Sequence, residues 1–124
     1  MAARTATQVR PKPHAAFRQR VRDWAEKLGV RPERVQIQRM THKWASCSPA
    51  GRLSFSSSLV REEVAFQEVV IVHELLHLRV PNHGRLFKSL MSAYLPEWQG
   101  IGGQRIARFC RFSDNGAGVS AGRS

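Results

Sequence analysis

The sequence predicts an α+β domain made of several helices and one small sheet. Three stretches carry apolar residues at helical spacing, and two short stretches alternate apolar and polar residues as a half-buried strand does. With 124 residues, 42% of them hydrophobic, the chain can form a single domain with a modest core. We predict this domain over residues 13–113, between a disordered basic tail at 1–12 and a disordered Gly/Ser-rich tail at 114–124.

The first predicted helix follows the basic tail. Five apolar residues repeat at intervals of three or four and form one stripe, which is typical of a helix packed on a core. They are Phe17, Val21, Trp24, Ala25 and Leu28. Gly29 stands where such a helix is expected to stop.

The stretch 34–56 predicts a hairpin or two neighbouring strands. Residues 35–38 and 52–56 both alternate apolar and polar side chains. Between them, Ser48-Pro49-Ala50-Gly51 has the composition of a turn.

Two more helices are predicted, over 61–79 and over His83–Tyr94. The first is apolar on most of its surface, so we expect it to be buried on most sides. Pro81 ends it, and Asn82 is a suitable N-cap for the second. We expect one face of the second helix to pack on the core, formed by Leu86, Phe87, Leu90, Met91 and Tyr94.

The composition excludes several classes of protein. The longest apolar run, Val69–Val72, is far shorter than the roughly 20 residues of a membrane-spanning helix. Two cysteines do not make a disulfide scaffold, and no signal-peptide pattern opens the chain, so a cytoplasmic location with reduced Cys47 and Cys110 is predicted. The net charge of +11 is concentrated in residues 1–43, which carry +8. This region is interpreted either as a contact for nucleic acid or as a solvated tail.

The sequence His73-Glu74-Leu75-Leu76-His77 has the H-E-x-x-H pattern. Four residues along an α-helix rotate by about 400°, so the two imidazoles lie on one face, one turn apart. Such a pair can bind one Zn²⁺, and Glu74 can then take a proton from the attacking water. Because the surrounding helix is apolar, a buried polar trio needs a compensating interaction, and metal binding supplies one.

A catalytic zinc site has three protein ligands and one open position. His83 is the leading candidate for the third ligand, since the chain turns at Pro81 and returns six residues after His77. Glu97 is the second candidate and His42 a more distant one, whereas His14 is assigned to the tail.

Several short motifs, in this order, resemble the YgjP-like metal-dependent hydrolases, which are related to the SprT-like zinc proteases. The matching residues are Lys43–Ser48, Gly51–Leu53, Val70–His77, Asn82–Gly84 and Phe87. The resemblance covers about residues 35–98. The departures, such as Lys43 in place of Arg and Lys88 in place of Trp, leave the histidines intact and affect the substrate groove.

The resemblance implies a zincin-like fold, with the sheet packed on the helix that carries the H-E-x-x-H motif. It also implies one Zn²⁺ per chain held by His73, His77 and His83, with Glu74 as general acid and base. The implied activity is hydrolysis of peptide bonds in a peptide or protein substrate. Three alternatives stay open: a hydrolase of phosphate-bearing nucleotides, a DNA-associated protease of the SprT type, and a basic nucleic-acid-binding module with a structural zinc.

Two further residues are candidates for contacting substrate. Lys43 could present its cation to a substrate oxygen or be solvated, and Tyr94 could stabilise an oxyanion, although its place on an apolar helix face favours packing. Trp44 and Cys47 could wall the cleft or offer a soft ligand, but burial in the core is the favoured interpretation for both.

Overall fold

The computed structural model of the protein describes residues 12–103, and the predictions for 1–11 and 104–124, including the Gly/Ser tail, lie outside this range. Helix α1 (Pro13–Leu28) is followed by strands β1 (Arg34–Gln38), β2 (Ala45–Cys47) and β3 (Arg52–Ser56). A 3₁₀ turn (Leu59–Arg61) leads into helix α2 (Val64–Leu76), and helix α3 (Arg85–Tyr94) precedes a π-helical turn (Gln99–Gly103). The α+β class is therefore confirmed.

Helix α1 forms as its apolar stripe predicts. All five residues of the stripe are buried, and Trp24 anchors the helix by donating its indole N–H to Glu68 of α2 at 3.2 Å. Gly29 ends the helix in the left-handed conformation, with φ of +70°, and its N–H returns to the helix's last carbonyls. A residue without Cβ adopts that conformation at low cost.

The three strands form a mixed sheet in the order β1-β3-β2. Strands β1 and β3 are parallel neighbours, with Val35 opposite Leu53, whereas β2 and β3 form the antiparallel hairpin around the turn at 48–51. The prediction of two neighbouring strands is confirmed, but a hairpin formed directly between 35–38 and 52–56 is wrong. The hairpin partner is the three-residue strand β2, which is too short to show a period.

Helix α2 is shorter than predicted at both ends. It begins at Val64 rather than at residue 61, because Leu59–Arg61 form a separate 3₁₀ turn. Buried Gln67 holds this junction: its amide donates to the carbonyls of Val60 and Glu62 at 3.0 and 2.9 Å. The helix ends at Leu76, and the following residues continue as a hydrogen-bonded turn.

Helix α3 begins two residues after the predicted start. Its N-cap is Gly84 rather than Asn82, whose side-chain oxygen instead accepts a hydrogen bond from the Gly84 N–H at 3.1 Å. As a result His83 lies in the loop before the helix. Phe87 and Met91 are buried as expected, but Leu86 is 59% exposed, so its assignment to the packed face is wrong.

The core lies between the sheet and the helices, and α2 runs through it. Residues 69–76 of α2 are buried, as the apolar surface of this helix predicts. Phe17 of α1 and Phe55 of β3 meet edge to face at 5.1 Å, which joins the first helix to the sheet. Within residues 12–103, no helix is long and apolar enough to cross a membrane.

Candidate metal centre

Three histidines converge at the end of α2. The described part of the chain contains one group of potential ligands that could hold a metal ion, and it consists of His73, His77 and His83. One ring nitrogen from each lies within 4.8 Å of the others. The rings of His73 and His77 are 4.9 Å apart, which is the spacing that two positions one helical turn apart provide.

The third histidine is brought in by the turn that ends the helix. The N–H groups of Leu78, Arg79 and Val80 bond back to the last carbonyls of α2, so the chain reverses tightly before Pro81. His83 then returns to the helix end, with its Nε2 at 2.9 Å from Nε2 of His77. The structure therefore brings together the three residues that the sequence suggested as ligands.

Phe87 supports all three imidazoles. Its ring centroid is 5.1 Å from that of His73, 4.8 Å from His77 and 4.9 Å from His83. Sequence analysis assigned Phe87 to an apolar helix face and did not identify it as part of the site. The available signal was its place four residues after His83 in the helix predicted over His83–Tyr94, since residues four apart on a helix share a face. The structure places His83 in the loop before that helix.

Hydrogen bonds to the helix-borne histidines define which ring nitrogen is free for a metal. His77 Nδ1 lies 3.2 Å from the carbonyl oxygen of Val80. A carbonyl can only accept, so Nδ1 carries the proton and Nε2 keeps its lone pair. The carboxylate of Glu74 plays the same part for His73, at 3.3 Å from its Nδ1. Such outer hydrogen bonds typically orient metal-binding imidazoles.

Burial keeps these two imidazoles neutral. Loss of solvent, together with the neighbouring His83, lowers the pKa of His73 to about 3. The pKa of His77 falls to about 4, again mainly through burial, although the negative charge of Glu74 opposes the shift. Both rings are therefore neutral at pH 7 and can offer lone pairs without first losing a proton.

The donor set fits a zinc ion. Tetrahedral zinc with bonds of about 2.0–2.1 Å holds neighbouring nitrogens about 3.3 Å apart. The observed 2.9 Å between His77 and His83, and the 4.8 Å limit for the whole group, lie on either side of that value. Imidazoles are ligands that zinc and several other divalent transition metals accept.

Glu74 lies beside these histidines without belonging to the group. Its side chain is fully buried, and its Oε2 faces His73. A buried carboxylate next to three imidazoles is placed to exchange a proton with a molecule bound there.

Other predicted contact residues lie in different surroundings. Lys43 is half-buried and lines a cleft of about 290 Å³ together with Arg34 and Arg52 of the sheet. Tyr94 packs its ring edge-on against Trp24, two helical turns beyond Phe87. The roles of Lys43 and Tyr94 toward substrate stay predictions.

Trp44 and Cys47 belong to the core, as favoured from the sequence. Trp44 packs edge to face on Phe66 at 5.2 Å, and both Trp44 and Cys47 are partly buried against the core cluster. Burial, reinforced by the charge of Glu74, raises the pKa of the Cys47 thiol to about 12. Cys47 also lies outside the group of potential ligands that the described residues form.

The alternative ligands are not part of the histidine group. Glu97 and His42 are exposed, and neither joins the metal-binding group that the structure describes. His14 is the second residue of α1, so its assignment to the tail is wrong.

Comparison with solved structures shows the same fold in two metallopeptidase zymogens. The abylysin metallopeptidase zymogen of Pyrococcus abyssi matches with a TM-score of 0.63 and 17% identity, over 76% of this chain and 98% of that one. The jannalysin metallopeptidase zymogen of Methanocaldococcus jannaschii matches with a TM-score of 0.59 and 24% identity, over 64% and 81%. These matches confirm the zincin-like fold that the sequence resemblance implied.

Comparison with curated protein sequences finds no match. A family model does match, and it covers residues 2–102, which include all three histidines of the group. The resemblance carried by the short motifs is thereby confirmed over most of the chain, and the protein belongs to the YgjP-like metallopeptidase domain family.

Proposed function

We propose that this protein is a zinc-dependent metallopeptidase whose metal is held by His73, His77 and His83 and whose general base is Glu74. The observation that carries the proposal is the convergence of three imidazole nitrogens within 4.8 Å beside a fully buried carboxylate. A zinc ion bound there supplies Lewis acidity, which activates water and polarises the peptide carbonyl. Three protein ligands also leave one position open for chemistry.

The residues of this chain perform the proton transfers. Glu74 accepts a proton from the attacking water and then donates it to the amine that leaves when the peptide bond breaks. Val80 and Glu74 keep His77 and His73 in the tautomers that point a lone pair at the metal. Phe87 packs against the three rings and limits their rotation.

The sheet offers a binding surface for an extended peptide. Strand β2 is at the edge of the sheet and packs against α2. An edge strand can bind a peptide through backbone hydrogen bonds. The charge of Glu74 contributes to the raised pKa of the Cys47 thiol on β2. A peptide bound along β2 would therefore pass close to the Glu74 carboxylate.

The test replaces Glu74 by Gln, which keeps the size of the side chain but removes the base. We expect unchanged zinc content and a loss of kcat/KM on a quenched fluorescent peptide of about 10²–10⁴-fold, as is usual for removing a general base. His83→Ala should instead lose zinc, as measured by elemental analysis. If Glu74→Gln cleaved the peptide as fast as the parent protein, the mechanism would be wrong.

The alternatives predict different results in the same preparation. A hydrolase of phosphate-bearing nucleotides would turn over a nucleotide panel, in a chelator-sensitive reaction, and leave the peptides intact. A structural zinc would have four protein ligands and no exchangeable water. A DNA-associated protease of the SprT type, or a nucleic-acid-binding module using residues 1–43, would show salt-sensitive DNA binding.

A further inference from the structure

A groove of about 570 Å³ runs between three segments of the chain and has His77 in its lining. Its sides are the loop after α1 (29–31) and the β2–β3 turn (48–51), and its floor is the turn after α2 (77–79). His77 both lines this groove and belongs to the histidine group. The volume is in the range of small-ligand sites, so the groove can hold a few residues of a peptide.

The walls of the groove are held in place. Gly51 has φ of +88°, and a Cβ on it would lie 3.8 Å from the Leu78 side chain, so the turn rests directly on the floor. On the other side, Arg79 donates from Nη1 to the carbonyl oxygen of Leu28 at 3.1 Å, which ties the end of α2 to the end of α1. The groove is therefore a preformed feature of the fold.

The lining of the groove carries positive charge only. Arg31 and Arg79 are both exposed and both line it, and no Asp or Glu is among the lining residues that the structure describes. Glu33 lies beside the turn, with its Cβ 3.7 Å from the point where a Gly51 Cβ would stand, but it is outside the lining. Within residues 12–103, Arg31 makes no hydrogen bond or ion pair.

We propose that this groove is a substrate subsite that selects a residue bearing a carboxylate, with Arg31 and Arg79 as the selecting groups. The proposal rests on the metallopeptidase function, since it names the peptides which that site would accept. Guanidinium groups are matched to carboxylates in geometry and charge, and Arg79 keeps further N–H donors after its bond to Leu28. Because His77 lines the same groove as Arg31 and Arg79, a carboxylate bound by these arginines would belong to a peptide that also reaches the histidine group.

Binding to the zinc-loaded Glu74→Gln full-length chain tests the proposal without turnover. The probes are fluorescent peptides, acetylated and amidated, that are neutral except for one position occupied by Glu, Gln or Lys and moved along the peptide. We expect the Glu peptide to bind about fivefold tighter than the Gln peptide at the favoured position, as a solvent-exposed charge pair about 4 Å apart provides. The Lys peptide should bind more weakly than both.

Arg31→Glu should abolish this preference. Arg61→Glu is the matched control, because it changes the net charge by the same amount. Arg61 lies before the start of α2 and His77 lies after its end, and a helix of 13 residues separates them by about 20 Å. Arg79→Gln is a second variant that removes a charge while keeping a donor for the Leu28 carbonyl. Equal binding of the three peptides, or equal effects of Arg31→Glu and Arg61→Glu, would overturn the proposal.

A further binding experiment distinguishes a side-chain carboxylate from the carboxylate at the C-terminus of a peptide. A neutral peptide with a free C-terminus tests whether a terminal carboxylate binds in place of a side chain, and loss of its binding in Arg31→Glu would assign the subsite to peptide ends. Cleavage by the parent protein keeps the two proposals apart. Peptides that bind in the expected order but are never hydrolysed contradict the peptidase function, whereas cleavage that ignores charge contradicts the subsite.

Discussion

Acid should destabilise the metal-free protein through the histidines of the metal centre. Burial lowers the pKa of His73 to about 3 and of His77 to about 4, from 6.5 in the unfolded chain. At a pH between the folded-state and unfolded-state pKa values, the histidines are protonated in the unfolded state and neutral in the folded state. The contribution of His73 and His77 to the free energy of unfolding is therefore complete above pH 7 and is lost as the pH falls through 6.5 toward 4.

The size of the effect follows from the two shifts. Each histidine contributes a slope of up to about 1.4 kcal/mol per pH unit in this window. Summed over both groups, the free energy of unfolding should fall by about 4 kcal/mol between pH 7.5 and pH 5.0. That is a large part of the 5–15 kcal/mol by which domains are usually stable.

Urea unfolding of the chelator-treated protein, followed at several pH values, measures this loss. His77→Gln should remove about half of the pH dependence, since one of the two proton-binding groups is gone. His42→Gln, which removes an exposed imidazole outside the metal centre, should leave the parent's pH dependence intact. An unfolding free energy that stays constant or rises from pH 7.5 to 5.0 would refute the reasoning.

Two further predictions separate packing from metal binding. Phe87→Leu and Met91→Ala both disturb buried side chains on α3, and the Phe87 ring packs against the histidine rings. We expect each substitution to destabilise the fold by about 1–4 kcal/mol. Phe87→Leu alone should also reduce the zinc affinity, by about tenfold, as measured by competition with a chromophoric chelator. The second comparison is between Gly102→Ala and Gly100→Ala. A Cβ on Gly102 would lie 2.5 Å from the Phe66 ring, whereas one on Gly100 meets nothing within 4 Å. Gly102→Ala should cost about 1–3 kcal/mol in urea unfolding, and a near-neutral result there would show that Phe66 moves aside.

Local patterns were enough for the elements whose signal lies in adjacent residues. The stripe from Phe17 to Leu28 predicted α1, and Gly29 predicted its end, because both depend on side chains a few positions apart. Strand β2 was missed because three residues, Ala45–Cys47, carry no readable period and form a strand only by pairing with β3. The start of α3 was misplaced since Asn82 could cap either the helix or a local turn, and it bonds Gly84 in a turn.

The sequence by itself determined the chemical content of the site. The spacing of His73 and His77 places two imidazoles on one helix face in any α-helix, and Glu74 follows from its position beside them. Only the tertiary structure decided what surrounds them: that His83 rather than Glu97 approaches His77, and that Phe87 supports all three rings. The same holds for Arg31 and Arg79, which are 48 positions apart in the chain and share a groove. Contacts across a turn or between distant segments depend on how the whole chain packs. The spacing of residues within one helix or strand therefore does not predict them.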